Sequence, residues 1–459
     1  METVYLEQWL HKKIMRVHEA DAEFRHFTGK GALPEALNRK DVELYQLYRL
    51  RKVLAYVFKK SAFYRERFKS AGLKPDDLRS LEDLSRVPFT EPMDLAEHSN
   101  RFLCVSHGDI SRVTTFTTSG TTGPQKRIFC TKADLERMTD FMGTGLKTVA
   151  TEKDVLQIML PFGSVNNQGD LLTRGAEKAG IRPVKAGMHI SHDAQMDLIR
   201  SNKSTVLFGP TPRIFRMSQE MNGKVDLKAL GMKTLFLTSG YLSESMRDLL
   251  SRLWQCDVHS HYGLTEMGLG VAVECHAHSG YHFNEADLLL EVVDPQTGRP
   301  IEEGEGELVF TTLTREGMPL IRYRTHDLSC LITDPCPCGA SGLLKFGKIT
   351  RRLEDRIFLT GGDEIYFSLF DEMFYNLPDL VDYQIMVDRV DGKDHLTFSV
   401  EVIHAGEKVE ENIRRGLSKV PLILKNLKKE TMTDPEIAFV APGSFHRGGR
   451  AKKMIEDHR

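Results

Sequence analysis

Between Asp154 and about Gly240, short apolar runs alternate with helical patterns, and few architectures accommodate that order. The runs are VLQIMLPF, KSTVLFGPTPRIF and MKTLFLTSG, with MDLIR and SESMRDLLSRLW between or after them. Apolar runs of this kind suit strands covered on both faces by crossover helices, so the segment predicts a parallel α/β sheet. The text differs on either side. From Asp41 to Ser70, the residues Leu44, Leu47, Leu50, Val53, Leu54, Val57 and Phe58 recur at three- and four-residue intervals, which predicts an amphipathic helix. From Leu288 to Leu313 the stretch LLLEVVDPQTGRPIEEGEGELVFTTL has β-rich runs around Asp-Pro and Gly-rich turns and predicts a β-rich subdomain. After Ile349 about 110 residues carry patterns of their own, such as DYQIMV and HLTFSVEVI, enough for a small second domain with a boundary near Arg352.

Composition narrows the function classes. A chain of 459 residues that is 41% hydrophobic can bury a large core and divide into two or more domains. Its 62 Lys and Arg against 64 Asp and Glu leave no basic field for a nucleic acid. Glu2, Glu7, Glu19, Asp21 and Glu23 interrupt the first thirty residues, unlike a secretory leader. No apolar run approaches the ~20 residues that span a bilayer. The expectation is a soluble, cytoplasmic protein with neither a nucleic-acid nor a membrane partner. Seven cysteines, an odd number in so long a chain, argue against a disulfide scaffold. Cys104, Cys130, Cys256 and Cys330 stand alone, as small buried hydrophobes do.

The stretch TFTTSGTTGPQKR at 115–127 packs six hydroxyls, two glycines and Lys126 together after the strand-like RVTTF. Consecutive backbone N–H groups in a Gly-rich turn, ringed by hydroxyl donors and one ammonium, cradle phosphate oxygens. It is not a Walker loop, because Pro124 and Gln125 separate the second Gly from the lysine. The plain alternative is a solvated Ser/Thr-rich turn. As loop residues, Thr121 and Lys126 are expected to contribute little to the core.

The segment TSGTTGPQK resembles the phosphate-binding signature of the adenylate-forming (acyl-CoA synthetase, luciferase-like) superfamily, and three further stretches match that superfamily in order. HYGLTEMG at 261–268 resembles the motif whose aromatic packs near adenine and whose acid holds magnesium. RYRTHDL at 322–328 resembles the motif whose aspartate binds the ribose hydroxyls. ITRRLEDRIFLTGGDEIY at 349–366 resembles the hinge of a mobile C-terminal domain. SAFYRERFKSAGLKPDDLRSLEDLSRVPFTE and GYHFNEADLLLEVVDPQTGRPIEEGEGELVFTTLTREGMPLIRYRT are similar to the phenylacetate–CoA ligase-like family, from about Leu47 onward.

That resemblance implies an α/β fold with a large N-terminal AMP-binding and acyl-substrate domain, residues 1–350, made of parallel α/β sheets plus a zinc-stapled β-rich part at about 270–345. A small mobile α+β lid, residues 351–459, follows. It implies an AMP-forming acid–CoA ligase for an aromatic or related acid, with a small carboxylic acid, ATP and CoA as reactants and a homodimer left open. The same fold also serves enzymes that deliver the acyl group to an amine or adenylylate a hydroxyl cofactor, and a non-catalytic nucleotide-binding relative is a further alternative. Ser119, Gly120, Thr121, Thr122, Gly123 and Lys126 are the implied phosphate grip. His261, Tyr262, Gly263 and Thr265 are implied at the nucleotide, Glu266 on magnesium, Asp327 on ribose, and Arg352 on ribose or phosphate. Ser239, Gly240 and Tyr241 stand where the family commonly carries a Gly/Ala-Glu pair bordering the adenine and acyl pockets, so Tyr241 replaces an acid. Glu266 as a surface acid, Tyr262 as a core ring and Asp327 as a turn cap are the plain alternatives.

Cys275, Cys336 and Cys338 with a histidine have the donor set of a closed structural zinc site. His276, His278 and His282 compete for the fourth position; His282, in GYH, corresponds to the family's G-L-H. The tail APGSFHRGGRAKKMIEDHR stands where the family presents a G-K-A-K-R-like segment with a catalytic lysine. Arg450 occupies the matching position. Either Arg450 does that work, or Gly448 and Gly449 let the loop shift and bring Lys452 in.

Overall fold

The computed structural model describes residues 5–34, 37–117, 125–377, 379–445 and 455–459. The chain packs as two compact units, one of residues 1–153, 162–182 and 261–348, the other of residues 154–161, 183–260 and 349–459.

In the first unit the 41–70 periodicity forms two helices, Arg39–Lys60 and Ala62–Ser70, rather than one. Ser61 turns the backbone to φ −83°, ψ 127° and its hydroxyl accepts the Tyr64 N–H, so an N-cap divides a pattern that looks continuous. Helices Lys132–Leu146 and Gln168–Lys178 cross where a Cβ on Gly143 would stand 2.6 Å from the Gly175 carbonyl oxygen, so only glycine permits the approach. The strand-like RVTTF lies in strand Ile110–Thr117, which pairs antiparallel with Gln125–Thr131; the register brings Phe116 opposite Lys126 and Thr117 opposite Gln125. The β-rich subdomain is an antiparallel meander of Leu288–Val293, Gly306–Thr312 and Tyr323–Ser329. A second antiparallel patch joins Ala272–Glu274, Tyr281–Phe283, Lys345–Phe346 and Leu331–Ile332.

The second unit contains the expected parallel sheet. Val155–Ile158, Val206–Pro210 and Thr234–Thr238 pair in parallel, and Thr234–Leu237 continues onto Asp257–Ser260. The helices between them, His192–Asn202, Thr211–Met221 and Glu244–Trp254, cover the sheet, the first and third capped at Ser191 and Ser243. DYQIMV and HLTFSVEVI fall in an antiparallel pair, Leu380–Val390 with Lys393–Val402, flanked by Glu436–Val440 and Glu456–Asp457.

One apolar core runs through this unit from Leu207 and Trp254 to Tyr383 and Phe398, with the Phe215 and Tyr375 rings 4.9 Å apart. Within it Arg216 holds Glu401 in a two-pronged pair at 2.6 and 2.7 Å, and Glu401, fully buried, also accepts the Gly443 N–H at 2.6 Å. Removing one member of such a pair leaves a desolvated charge. Glu401→Ala is expected to lower the unfolding free energy by about 3–5 kcal/mol, while the double replacement Arg216→Met/Glu401→Met recovers most of it. Denaturant titration reads both, and an unshifted Glu401→Ala midpoint removes the claim. Among the described residues no helix is long and apolar enough to cross a membrane.

Candidate active site

Strand parity explains how a lysine at the start of Gln125–Thr131 becomes enclosed. Along Gln125–Thr131, Gln125 and Arg127 are exposed while Lys126 and Ile128 share the buried face. Lys126 is therefore a strand residue only 6% exposed, which corrects the expectation that it adds little to the core. Its Nζ lies 3.0 Å from Glu266 Oε1 and 3.1 Å from the Tyr323 hydroxyl, and that hydroxyl donates to the same Glu266 oxygen at 2.7 Å. The three polar ends close a triangle away from solvent.

Glu266 sits on the short turn Thr265–Met267, ended by Gly268 at φ 101°. Arg315, itself buried, donates from Nη1 to the Glu266 carbonyl oxygen and fixes the turn from outside. At 4% exposure Glu266 is not a surface acid. Gly263 upstream is obligatory, since a Cβ there would lie 2.5 Å from the Leu269 carbonyl oxygen. Burial pushes the His261 imidazole down to about 4, so this ring is neutral at physiological pH.

Tyr262 and Asp327 meet directly. The Tyr262 hydroxyl donates to Asp327 Oδ2 at 2.5 Å, its ring packs edge-on against Phe346 at 5.4 Å, and Asp327 is fully buried with its N–H on Thr325 Oγ1. Period two along Tyr323–Ser329 places Tyr323, Thr325 and Asp327 on one buried face, so the carboxylate proposed for ribose and the hydroxyl that touches Glu266 share a strand.

In the second unit Ser239 has φ 58°, and a Cβ on Gly240 would lie 3.0 Å from Pro212 Cδ. Tyr241 is half-buried, and desolvation, reinforced by Glu372 and Asp371, pushes its phenol up to about 12. Glu372 accepts the Glu244 and Ser245 N–H groups at 2.8 and 2.9 Å, capping helix Glu244–Trp254 beside Tyr241. Arg352 lies in the short strand Arg351–Arg352. Ser119, Gly120, Thr121, Thr122, Gly123, Arg450 and Lys452 lie outside the described residues.

The metal-ligand expectation falls entirely within the first unit. The donor atoms of Cys275, His282, Cys336 and Cys338 all lie within 4.8 Å of one another, and all four residues are buried. Cys275 and Cys336 sulfurs are 3.6 Å apart, and Cys338 Sγ is 3.4 Å from His282 Nε2. Tetrahedral zinc with its usual bond lengths sets S···S near about 3.8 Å and S···N near about 3.6 Å, so the donors fit the ion. Donation from Cys275, then from His282 and Cys336, holds the Cys338 thiol far below its ordinary range, while the same hydrogen bond pushes Cys275 up. His276 and His278 are exposed, and His278 turns to Glu274 at 3.3 Å, so neither joins the cluster.

Tyr323 and Arg315 are the residues that motif reading passed over. Tyr323 stands four positions before Asp327 on the same strand face, a parity signal legible in RYRTHDL. Arg315 carries no comparable signal, since only the fold brings it to Glu266.

With the geometry in place, two family models match the chain: the AMP-binding enzyme model over residues 105–313 and the AMP-binding enzyme C-terminal domain model over residues 362–459. The chain is 31% identical over 444 residues to phenylacetate-coenzyme A ligase of Thermus thermophilus, covering 92% of this chain and 98% of that one. It is 29% identical to phenylacetate-coenzyme A ligase of Aromatoleum evansii, covering 92% and 96%. Among solved structures, 2-hydroxyisobutyryl-CoA ligase in complex with R3-HIB-AMP shares the fold, with a TM-score of 0.79 at 22% identity and 94% coverage of each chain.

Proposed function

The chain belongs to the AMP-binding enzyme family, in its phenylacetate–CoA ligase-like branch, and from that premise we propose that it is an ATP-dependent, AMP-forming carboxylic acid–CoA ligase acting on an aromatic or related acid. The observation that carries this reading is the buried Lys126–Glu266 pair at the root of the 118–124 loop. A buried ion pair contributes little to stability for its desolvation cost. The same two charges suit MgATP, the ammonium for phosphate oxygens and the carboxylate for the metal.

In the first half-reaction a substrate carboxylate oxygen attacks the α-phosphorus of ATP. The bond to the pyrophosphate oxygen breaks, leaving acyl-adenylate and free pyrophosphate. The CoA thiolate then attacks the acyl carbon, the bond to AMP breaks, and thioester and AMP leave. Two like-charged reactants must meet in line, so the site has to supply fixed N–H donors and positive charge. The backbone and hydroxyls of Ser119, Gly120, Thr121, Thr122 and Gly123, with Lys126, grip the β- and γ-phosphates. Glu266 would hold magnesium, whose charge would neutralise that of the polyphosphate.

Tyr262 offers a face to adenine, beside His261, Gly263 and Thr265. Asp327, which already accepts one hydroxyl proton from Tyr262, accepts those of the ribose, and Arg352 meets ribose or phosphate. Ser239, Gly240 and Tyr241 border the adenine and acyl pockets. The adenylating domain is residues 1–350 and its lid residues 351–459, which in this conformation share an apolar core with residues 183–260. Zinc on Cys275, His282, Cys336 and Cys338 staples the β-rich part. Use of ATP and CoA suits a cytoplasmic enzyme, with a homodimer open as its assembly.

The test is ATP–pyrophosphate exchange over a panel of carboxylic acids, phenylacetate first, with and without CoA. Acid-dependent exchange is expected, with AMP and thioester accumulating once CoA is added; no exchange with any acid sinks the proposal. Arg450→Ala is expected to slow adenylate formation at least about tenfold, or about 1.4 kcal/mol, while thioester formation from supplied acyl-adenylate is retained. If Lys452→Ala alone gives that pattern, Lys452 is the residue; if neither does, the tail is not catalytic.

A further inference from the structure

Resting on the reading of Lys126 and Glu266 as the ATP and magnesium partners, we propose that Tyr323 is the positioning residue that makes their separation productive. It holds the Glu266 carboxylate in place for the metal while Lys126 leaves it for the phosphates.

The members of the triangle differ in their freedom to move. Tyr323 is 1% exposed, and its backbone is clamped on both sides. It pairs with Phe310 in the meander and bridges Thr90, whose N–H and carbonyl engage Arg322 and Arg324 at 2.9 and 3.0 Å. Its neighbours are anchored as well. Arg322, at 2% exposure, holds Glu291 through two bonds of 3.0 and 2.9 Å, and Arg324 Nε holds Glu307 at 2.9 Å. Glu266 rides on a turn fastened by Arg315. Lys126 alone reaches the triangle through a long side chain, and its Cα lies two residues from the 118–124 loop. An arriving triphosphate draws on the member with the most conformational freedom and the matching charge, which is the lysine.

Once the ammonium leaves, Glu266 has lost one of the two donors to its Oε1. The Tyr323 hydroxyl, at 2.7 Å, remains. A buried carboxylate without donors is free to rotate. Held by a phenol on a clamped strand, it stays aimed. Lys126 Nζ also lies 5.8 Å from the Phe116 ring centroid. No covalent bond is made or broken at Tyr323.

Tyr323→Phe keeps the ring and removes only the hydroxyl. The measurement is ATP affinity by calorimetry, with and without Mg2+, for wild type, Tyr323→Phe, Glu266→Gln and the double variant. The wild type is expected to gain affinity from Mg2+, and Tyr323→Phe to lose about tenfold of that gain, the size of one hydrogen bond to a charged group. Its Mg2+-free affinity is expected to stay within about twofold of wild type. In the Glu266→Gln background the loss of the hydroxyl should add nothing further, a coupling that a purely structural role would not produce. An undiminished Mg2+ gain in Tyr323→Phe, or an equal fall with and without the ion, overturns the role. Absence of ATP binding by the wild type overturns the ligase reading and this inference together.

Discussion

Lys126→Ala is expected to lower the rate of acyl-adenylate formation by about 10²–10³-fold, the loss seen when one preorganised electrostatic contact to a developing charge is removed. It is also expected to destabilise the protein, because Glu266 is then left at 4% exposure without its counter-ion. The two effects separate in a neutral pair. Lys126→Met/Glu266→Gln should recover stability and leave adenylation as slow as in Lys126→Ala. Single-turnover formation of the adenylate, set beside denaturant midpoints for both variants, checks this. If the neutral pair restores the rate along with stability, the two charges serve the fold and not the nucleotide.

The second large effect concerns the cysteine cluster. Freshly purified protein is expected to carry about one zinc per chain, and Cys336→Ser, or stripping with a strong chelator, to destabilise it by more than about 4 kcal/mol, in the range reserved for losses such as a metal. The reason lies in what the ion replaces. Around Cys275, Cys336 and Cys338 the apolar packing is thin, with Ala340 as the other fully enclosed member and Ala277 and Leu343 at its margin. Without an ion the thiols have only weak sulfur contacts to offer one another. ATP affinity should fall less than stability, since the cluster shares no hydrogen bond with Lys126 or Glu266 among those of the described residues. Metal analysis that finds no zinc, or an unchanged melting profile for Cys336→Ser, contradicts the expectation.

Several features of this protein were decided by local chemistry and could be read in order along the chain. Alternation between 155 and 254 specifies strands buried on both faces and the helices that cover them, since each such run can satisfy its backbone only in a sheet. HYGLTEMG and RYRTHDL pointed to Glu266, Tyr262 and Asp327 through their resemblance to motifs of the superfamily. The cysteines of the cluster were legible from residue type, and His282 from its place in GYH; the fold agrees, since His282 lies in a buried strand with Nε2 beside Cys338, while His276 and His278 fall in the exposed turn before it. Where periodicity failed, the cause was equally local. Apolar positions continue from Val57 and Phe58 to Phe63, Tyr64 and Phe68 across Ser61, and no hydrophobic pattern records a capping hydroxyl.

Tertiary structure alone decided which polar groups became partners. Lys126 and Glu266 are 140 positions apart, Glu266 and Tyr323 57, Arg216 and Glu401 185. Spacing in sequence carries no information about such pairs, because each is produced by strand register and helix packing between distant segments. The burial that gives them their energetic weight is likewise a property of the assembled core. A lysine next to a glycine-rich stretch looks solvated until the alternation of Gln125–Thr131 turns it inward; only then do an enclosed carboxylate and a clamped phenol become its partners.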